Sequence, residues 1–154
     1  PFWLPLGSTA NKMGRVAGAN IAGGRKTFPG VLGTAIVKVF DLAAGRTGLT
    51  EAEAKTHRFN PVAVTVTTPA RPGYYPGGGE VTLKLVADRG SGKVLGAQTV
   101  GDATVDKVID TAAAALTVGM TVSGLTSLDL AYSPPFAPSL GALIVAGQVL
   151  EEKL

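Results

Sequence analysis

Three tyrosines, Tyr74, Tyr75 and Tyr132, are the side chains of this 154-residue chain best placed to do chemistry. They fall in segments rich in glycine and proline, where a phenol can donate a hydrogen bond or a proton in a partly apolar surround. Other routes close by elimination. The sequence holds no cysteine, which removes disulfides, thiolate nucleophiles and sulfur-held metals, and the single His57 cannot build a histidine metal site. His57 also lacks an elbow serine, so no nucleophilic triad presents itself. Gly90-Ser91-Gly92 with Gly96 loosely imitates a dinucleotide fingerprint, but it lies between two strand patterns and reads as a turn. Gly77-Gly78-Gly79 lacks the Lys-Ser or Lys-Thr of a P-loop. Asp102, Asp106 and Asp110 read as a polar helix face rather than a carboxylate ladder. The tyrosines act either as donors in a site or as aromatic packing at an interface, and spacing alone leaves both open.

The elements that must carry these loops follow from periodicity. Ser8 or Thr9 is a plausible N-cap for a helix over residues 11–22, with Met13, Val16, Ala17 and Ile21 on one face and Gly23-Gly24 as the stop. Gly14 and Gly18, one turn apart, call for a close approach to its backbone, either helix-on-sheet packing or a bound ligand. Thr34 to Phe40 reads as a buried strand. Thr50 and Glu53 form a capping box opening a short helix, Glu51 to Thr56, which places His57 at a helix C-terminus rather than in a catalytic role. Residues 62–67, 81–87 and 94–100 have the alternation of an antiparallel meander, with Asp88 to Lys93 as a turn. Val105, Val108, Ile109, Ala112 and Leu116 line one face of the clearest helix, and a short helical turn follows Thr121. Ser139 caps a last helix, apolar over Leu140 to Val149, which must be buried in this core or a partner's. The expected fold class is α+β, an antiparallel β-meander sheet covered by helices.

Composition bounds the partners. Charged residues are only 16% and the formal charge is +3 without a basic run, so neither nucleic acid nor an anionic membrane is an expected partner. The 21 glycines and 10 prolines mark a loop-rich chain of one-domain length. No apolar stretch reaches the ~18 residues of a membrane span and no signal segment opens the chain, so the default location is cytoplasmic. The opening Pro1-Phe2-Trp3-Leu4-Pro5 reads like the interior of a longer polypeptide, and composition shifts near residue 30.

Three segments carry a family resemblance. The stretch from Leu6-Gly7-Ser8-Thr9-Ala10-Asn11 to Gly23 resembles the last helix of the flavin domain of NADH oxidases and coenzyme A disulfide reductases. Tyr74-Tyr75-Pro76-Gly77 and Leu130-Ala131-Tyr132-Ser133-Pro134-Pro135-Phe136 are similar to the tyrosine segments of their C-terminal dimerisation domain. Relatives of the glutathione reductase type carry His-Pro and an acid near the second segment, whereas this chain has Tyr132, as in the single-cysteine branch. The resemblance implies residues 1–30 as the tail of an upstream FAD-binding domain and 31–154 as a dimerisation domain.

The implied parent is an FAD-dependent NAD(P)H oxidoreductase that reduces coenzyme A disulfide, polysulfide or dioxygen as a homodimer. Its nucleotide fingerprints and redox cysteine would lie in upstream FAD and NAD domains, so the fragment alone is expected to hold no cofactor and to be inactive. The resemblance implies Tyr74 and Tyr132 as catalytic, with Tyr132 beside the partner's flavin and cysteine. It implies Thr9, Ala10 and Tyr132 as cofactor-binding, the first two through helix N-terminal amides, and Asn11, Tyr74 and Tyr75 as substrate-binding. Leu140 stands about where some relatives carry a basic residue, a departure on the coenzyme A side. The alternative expectation is a purely structural homodimerisation module, in which polar changes at Ile144 or Val145 lose the dimer.

Overall fold

The computed structural model describes residues 3–154. Its elements in chain order are α1 (Gly7–Ile21), β1 (Ala35–Val39), β2 (Leu42–Gly48), α2 (Glu51–Thr56), β3 (Pro61–Pro69), β4 (Glu80–Asp88), β5 (Val94–Gly101), α3 (Val105–Thr117), α4 (Val122–Thr126) and α5 (Ala142–Glu151). The strands form one antiparallel sheet in the order β1-β2-β5-β4-β3. The α+β class and the β3-β4-β5 meander are therefore as the alternation predicts.

One face of the sheet is the core. Val62 and Val64 of β3, Leu83 and Leu85 of β4 and Ala97 of β5 meet Val105, Ile109 and Ala112 of α3 and Leu143, Ala146 and Leu150 of α5. Gly45 of β2 has no side chain because α3 lies directly on it: a Cβ there would stand 2.7 Å from Ile109 Cγ1. On the other face α2 covers the end of the sheet at β3 and β4. It is closed by the Thr50–Glu53 capping box, by Lys84 Nζ donating to Glu51 at 2.9 Å, and by Arg46 pairing with Glu53 at 3.0 Å.

Four expectations change. β1 is a strand but not a buried one: it lies at the sheet edge, paired only with β2, and four of its five residues are exposed. β2 has no counterpart in the pattern reading, because Leu42-Ala43-Ala44-Gly45-Arg46-Thr47-Gly48 lacks β-branched alternation. Two helices start elsewhere: α1 follows Leu6 and α5 follows Gly141, neither with a side-chain cap, in place of the Ser8 or Thr9 and Ser139 caps. The last helix is buried in this chain's own core, one of the two covers expected for it, with Ile144 7% exposed and Val145 half-buried.

Candidate functional site

The Tyr74 loop joins β3 to β4 and is shaped by its own backbone. Ala70 N–H donates to Gly79 O at 2.7 Å across the loop base, and Tyr75 N–H donates to Pro72 O at 2.8 Å. Arg71 orders the tip: its guanidinium donates to Gly77 O at 3.1 Å and stacks 5.9 Å from the centre of the Tyr75 ring. Tyr75 is thereby half-buried, while Tyr74 projects from the tip, 74% exposed.

Tyr132 arrives from the other direction, on the segment between α4 and α5. Prolines 134 and 135 force a turn in which Ser133 O accepts from Phe136 N–H and Ala137 N–H at 2.9 and 3.0 Å. Lys107 of α3 anchors this segment by donating to Ala131 O at 3.3 Å. Tyr132 is 53% exposed, with Phe136 and Leu140 exposed nearby in sequence.

The two loops bring the phenols of Tyr74 and Tyr132 into interaction. The pKa of Tyr74 is raised above the ordinary 10.0, first by hydrogen bonding with the Tyr132 hydroxyl, then by desolvation and by the charge Tyr132 would carry. Tyr74 therefore holds its proton to higher pH than a free phenol does. Beside Tyr132 lies an open cleft of about 480 Å³, whose walls include Arg71, Thr104, Lys107 and Phe136.

The remaining site residues lie apart from the tyrosine pair. Thr9 is the one buried residue of α1, while Ala10 and Asn11 are exposed. Ala10 N–H is committed to Leu6 O at 2.9 Å, so the amides that helix geometry leaves free are those of Gly7, Ser8 and Thr9. Thr9 lines a separate, largely apolar cleft of about 620 Å³, with Met13, Leu32, Arg46, Glu53 and His57. Among the described residues, nothing beyond the neighbouring positions and the backbone of α1 itself lies within 4 Å of a Cβ placed on Gly14 or Gly18, so the close approach those glycines suggest is not to the sheet. His57 is the C-cap of α2 and is exposed.

Arg71 and Lys107 are the organising residues that pattern reading passes over. Lys107 sits on the polar face of an amphipathic helix, where nothing distinguishes it. Arg71 had a signal, a lone cation three residues before Tyr74 in an aromatic, glycine-rich loop. Among the described residues no three His, Asp or Glu side chains gather as a metal site, and no helix is long and apolar enough to cross a membrane.

Comparison with known proteins gives the family of the fold. Residues 34–144 match the family model of the pyridine nucleotide-disulphide oxidoreductase dimerisation domain. The NAD(P)H coenzyme A polysulfide/persulfide reductase of Pyrococcus horikoshii is 48% identical over 149 residues, covering 97% of this chain and 33% of that protein. The coenzyme A disulfide reductase of Staphylococcus haemolyticus is 35% identical over 138 residues, 89% of this chain and 31% of that one. The solved NAD-dependent persulfide reductase of A. fulgidus superposes with a TM-score of 0.94 at 45% identity, over 99% of this chain and 28% of that chain. This chain thus spans about a third of the length of the curated relatives it matches. It belongs to the pyridine nucleotide-disulphide oxidoreductase dimerisation-domain family.

Proposed function

We propose that this chain is the dimerisation domain, residues 31–154, with the tail of the FAD-binding domain, residues 1–30, of an FAD-dependent NAD(P)H oxidoreductase. Its acceptor is a sulfur–sulfur bond, in coenzyme A disulfide or polysulfide, with dioxygen as the other electron sink of such enzymes. In the homodimer each chain lends Tyr74 and Tyr132 to the partner's active site. The family match over residues 34–144 carries this reading, and the approach of two exposed phenols from loops 58 residues apart in sequence supports its tyrosine part. The names of the relatives supply the chemistry.

The residues present fit a flavin. The uncapped amides of Gly7, Ser8 and Thr9 form a donor set suited to the electron-rich carbonyl edge of its pyrimidine, and Gly14 and Gly18 leave the α1 backbone open to a covering body. When bound, FAD takes hydride from NAD(P)H and passes the electrons to sulfur. Asn11, one turn along α1, is exposed on the same helix and offers an amide to the substrate.

The tyrosines act on the substrate. A tyrosine phenol, ordinarily titrating near about 10, does not surrender its proton fully to a thiolate, whose conjugate acid lies near about 8.5. Tyr132, with Tyr74 behind it, therefore serves as a hydrogen-bond donor to the leaving sulfur as the sulfur–sulfur bond breaks. Tyr75, held by Arg71, flanks Tyr74 on the same loop and adds to the substrate contacts. In the full-length polypeptide Tyr132→Phe is expected to lower kcat for disulfide or polysulfide by about tenfold or more, with FAD content and dimer mass unchanged. Unchanged turnover with every acceptor overturns the catalytic role and leaves a module that only dimerises.

A further inference from the structure

The face of the sheet away from α3 and α5 is sharply divided. Residues directly opposite in an antiparallel ladder point the same way, so one row across this face runs Val37, Ala44, Val100, Thr82, Thr67. The β3–β4 half is polar, with Thr67 and Thr82 sharing a hydrogen bond at 2.8 Å. The β1–β2 corner is apolar: Val37, Val39, Leu42 and Val100 are all exposed and Ala44 lies among them.

Two further costs fall on this corner. Phe40 opens the two-residue turn between Val39 and Leu42 with φ of 52°, where a hairpin prefers glycine or asparagine, and its ring is 92% exposed. The free edge of β1 also presents unpaired backbone groups beside apolar side chains. The opposite edge strand, β3, by contrast begins and ends in proline.

We propose that this corner, Val37, Val39, Phe40, Leu42, Ala44 and Val100, is the surface on which the upstream part of the same polypeptide docks. The inference rests on the reading that the chain is part of a longer protein, about a third of which it represents in its relatives. A second copy is the poorer occupant. The tyrosine segment assigned to the dimer leans on α3 in the helix layer, through Lys107, whereas the corner is on the other side of the sheet. One closed two-fold contact uses one patch. The upstream body is in addition tethered beside β1, because only residues 22–34 separate α1 from it.

The test uses the full-length polypeptide carrying Phe40→Cys, labelled with a maleimide and mapped peptide by peptide. Labelling at position 40 is expected to be at least about tenfold slower than in the same protein unfolded in denaturant, and independent of protein concentration. Labelling as fast as in denaturant overturns the docking, and protection lost on dilution to monomer makes a second copy the occupant. Should the variant fail to fold, amide exchange over residues 35–42 of the unaltered full-length protein gives the same answer: fast exchange along the outer edge of β1 overturns the proposal. Flavin absorbance of the same samples tests the earlier reading separately. A colourless protein protected at position 40 fails that reading alone, and a yellow one labelled rapidly fails only this one.

Discussion

The titration of Tyr74 depends on its neighbour, and that dependence can be measured in this chain. The leading cause of its raised pKa is the Tyr132 hydroxyl, so Tyr132→Phe is expected to bring the Tyr74 titration back towards 10.0, followed by NMR of ring-labelled tyrosine. A Tyr74 midpoint unmoved by the substitution would mean that the two phenols do not interact. The pair was half legible in the sequence. Glycine and proline around Tyr74 and Tyr132 marked both as loop aromatics, and motif resemblance paired them. Spacing could not, because their approach depends on how two distant loops fold. Lys107 was hidden for the same reason, since it acts through a carbonyl 24 residues away, whereas Arg71, bound to a carbonyl of its own loop, had a signal as a lone cation beside the aromatics.

At the scale of elements, the sequence announces what propensity and pattern build and hides what close packing builds. Alternating valines and leucines made β3 and β4 plain, and the Thr50–Glu53 box gave α2 to the residue. β2 is the opposite case: its small residues carry no strand pattern, yet they are small because α3 crosses it. Ile109 and Val105 would stand 2.7 and 3.3 Å from a Cβ on Gly45, so this strand is specified by the helix above it. Gly45→Val accordingly improves local strand propensity and is expected nonetheless to destabilise the domain by about 1–3 kcal/mol, read from urea unfolding. An unchanged or raised midpoint would show that propensity, not the α3 contact, governs the position. β1 was legible as a strand but not as an edge, because apolar β-branched residues look alike whether the covering body belongs to this domain or to another.

For the whole molecule, the carboxylates with displaced pKa values fasten α2 and the β4–β5 turn to the sheet. Glu51 is lowered from 4.5 chiefly by its hydrogen bond with Lys84, and Glu53 from 4.5 by the Thr50 backbone N–H. Asp88 is lowered from 3.8 by the Ser91 hydroxyl, with the Asn60 N–H adding to it. Each is more acidic folded than unfolded, so the stability it adds is complete above the unfolded value and is lost as pH falls through the folded one. Tm is therefore expected to decline from about pH 5 downward. All three groups are solvent-accessible, so each contributes modestly and the ion pairs of Glu51 weaken in salt, whereas the short-range hydrogen bonds of Glu53 and Asp88 are screened less. Calorimetry from about pH 6 to about pH 3, at low salt and at about 1 M, separates these parts. A decline that survives salt assigns it to the cap and turn, and one abolished by salt assigns it to the Lys84–Glu51–Lys55 pairs. A level Tm across the whole range at low salt would mean that these carboxylates are no better held in the fold than in the unfolded chain.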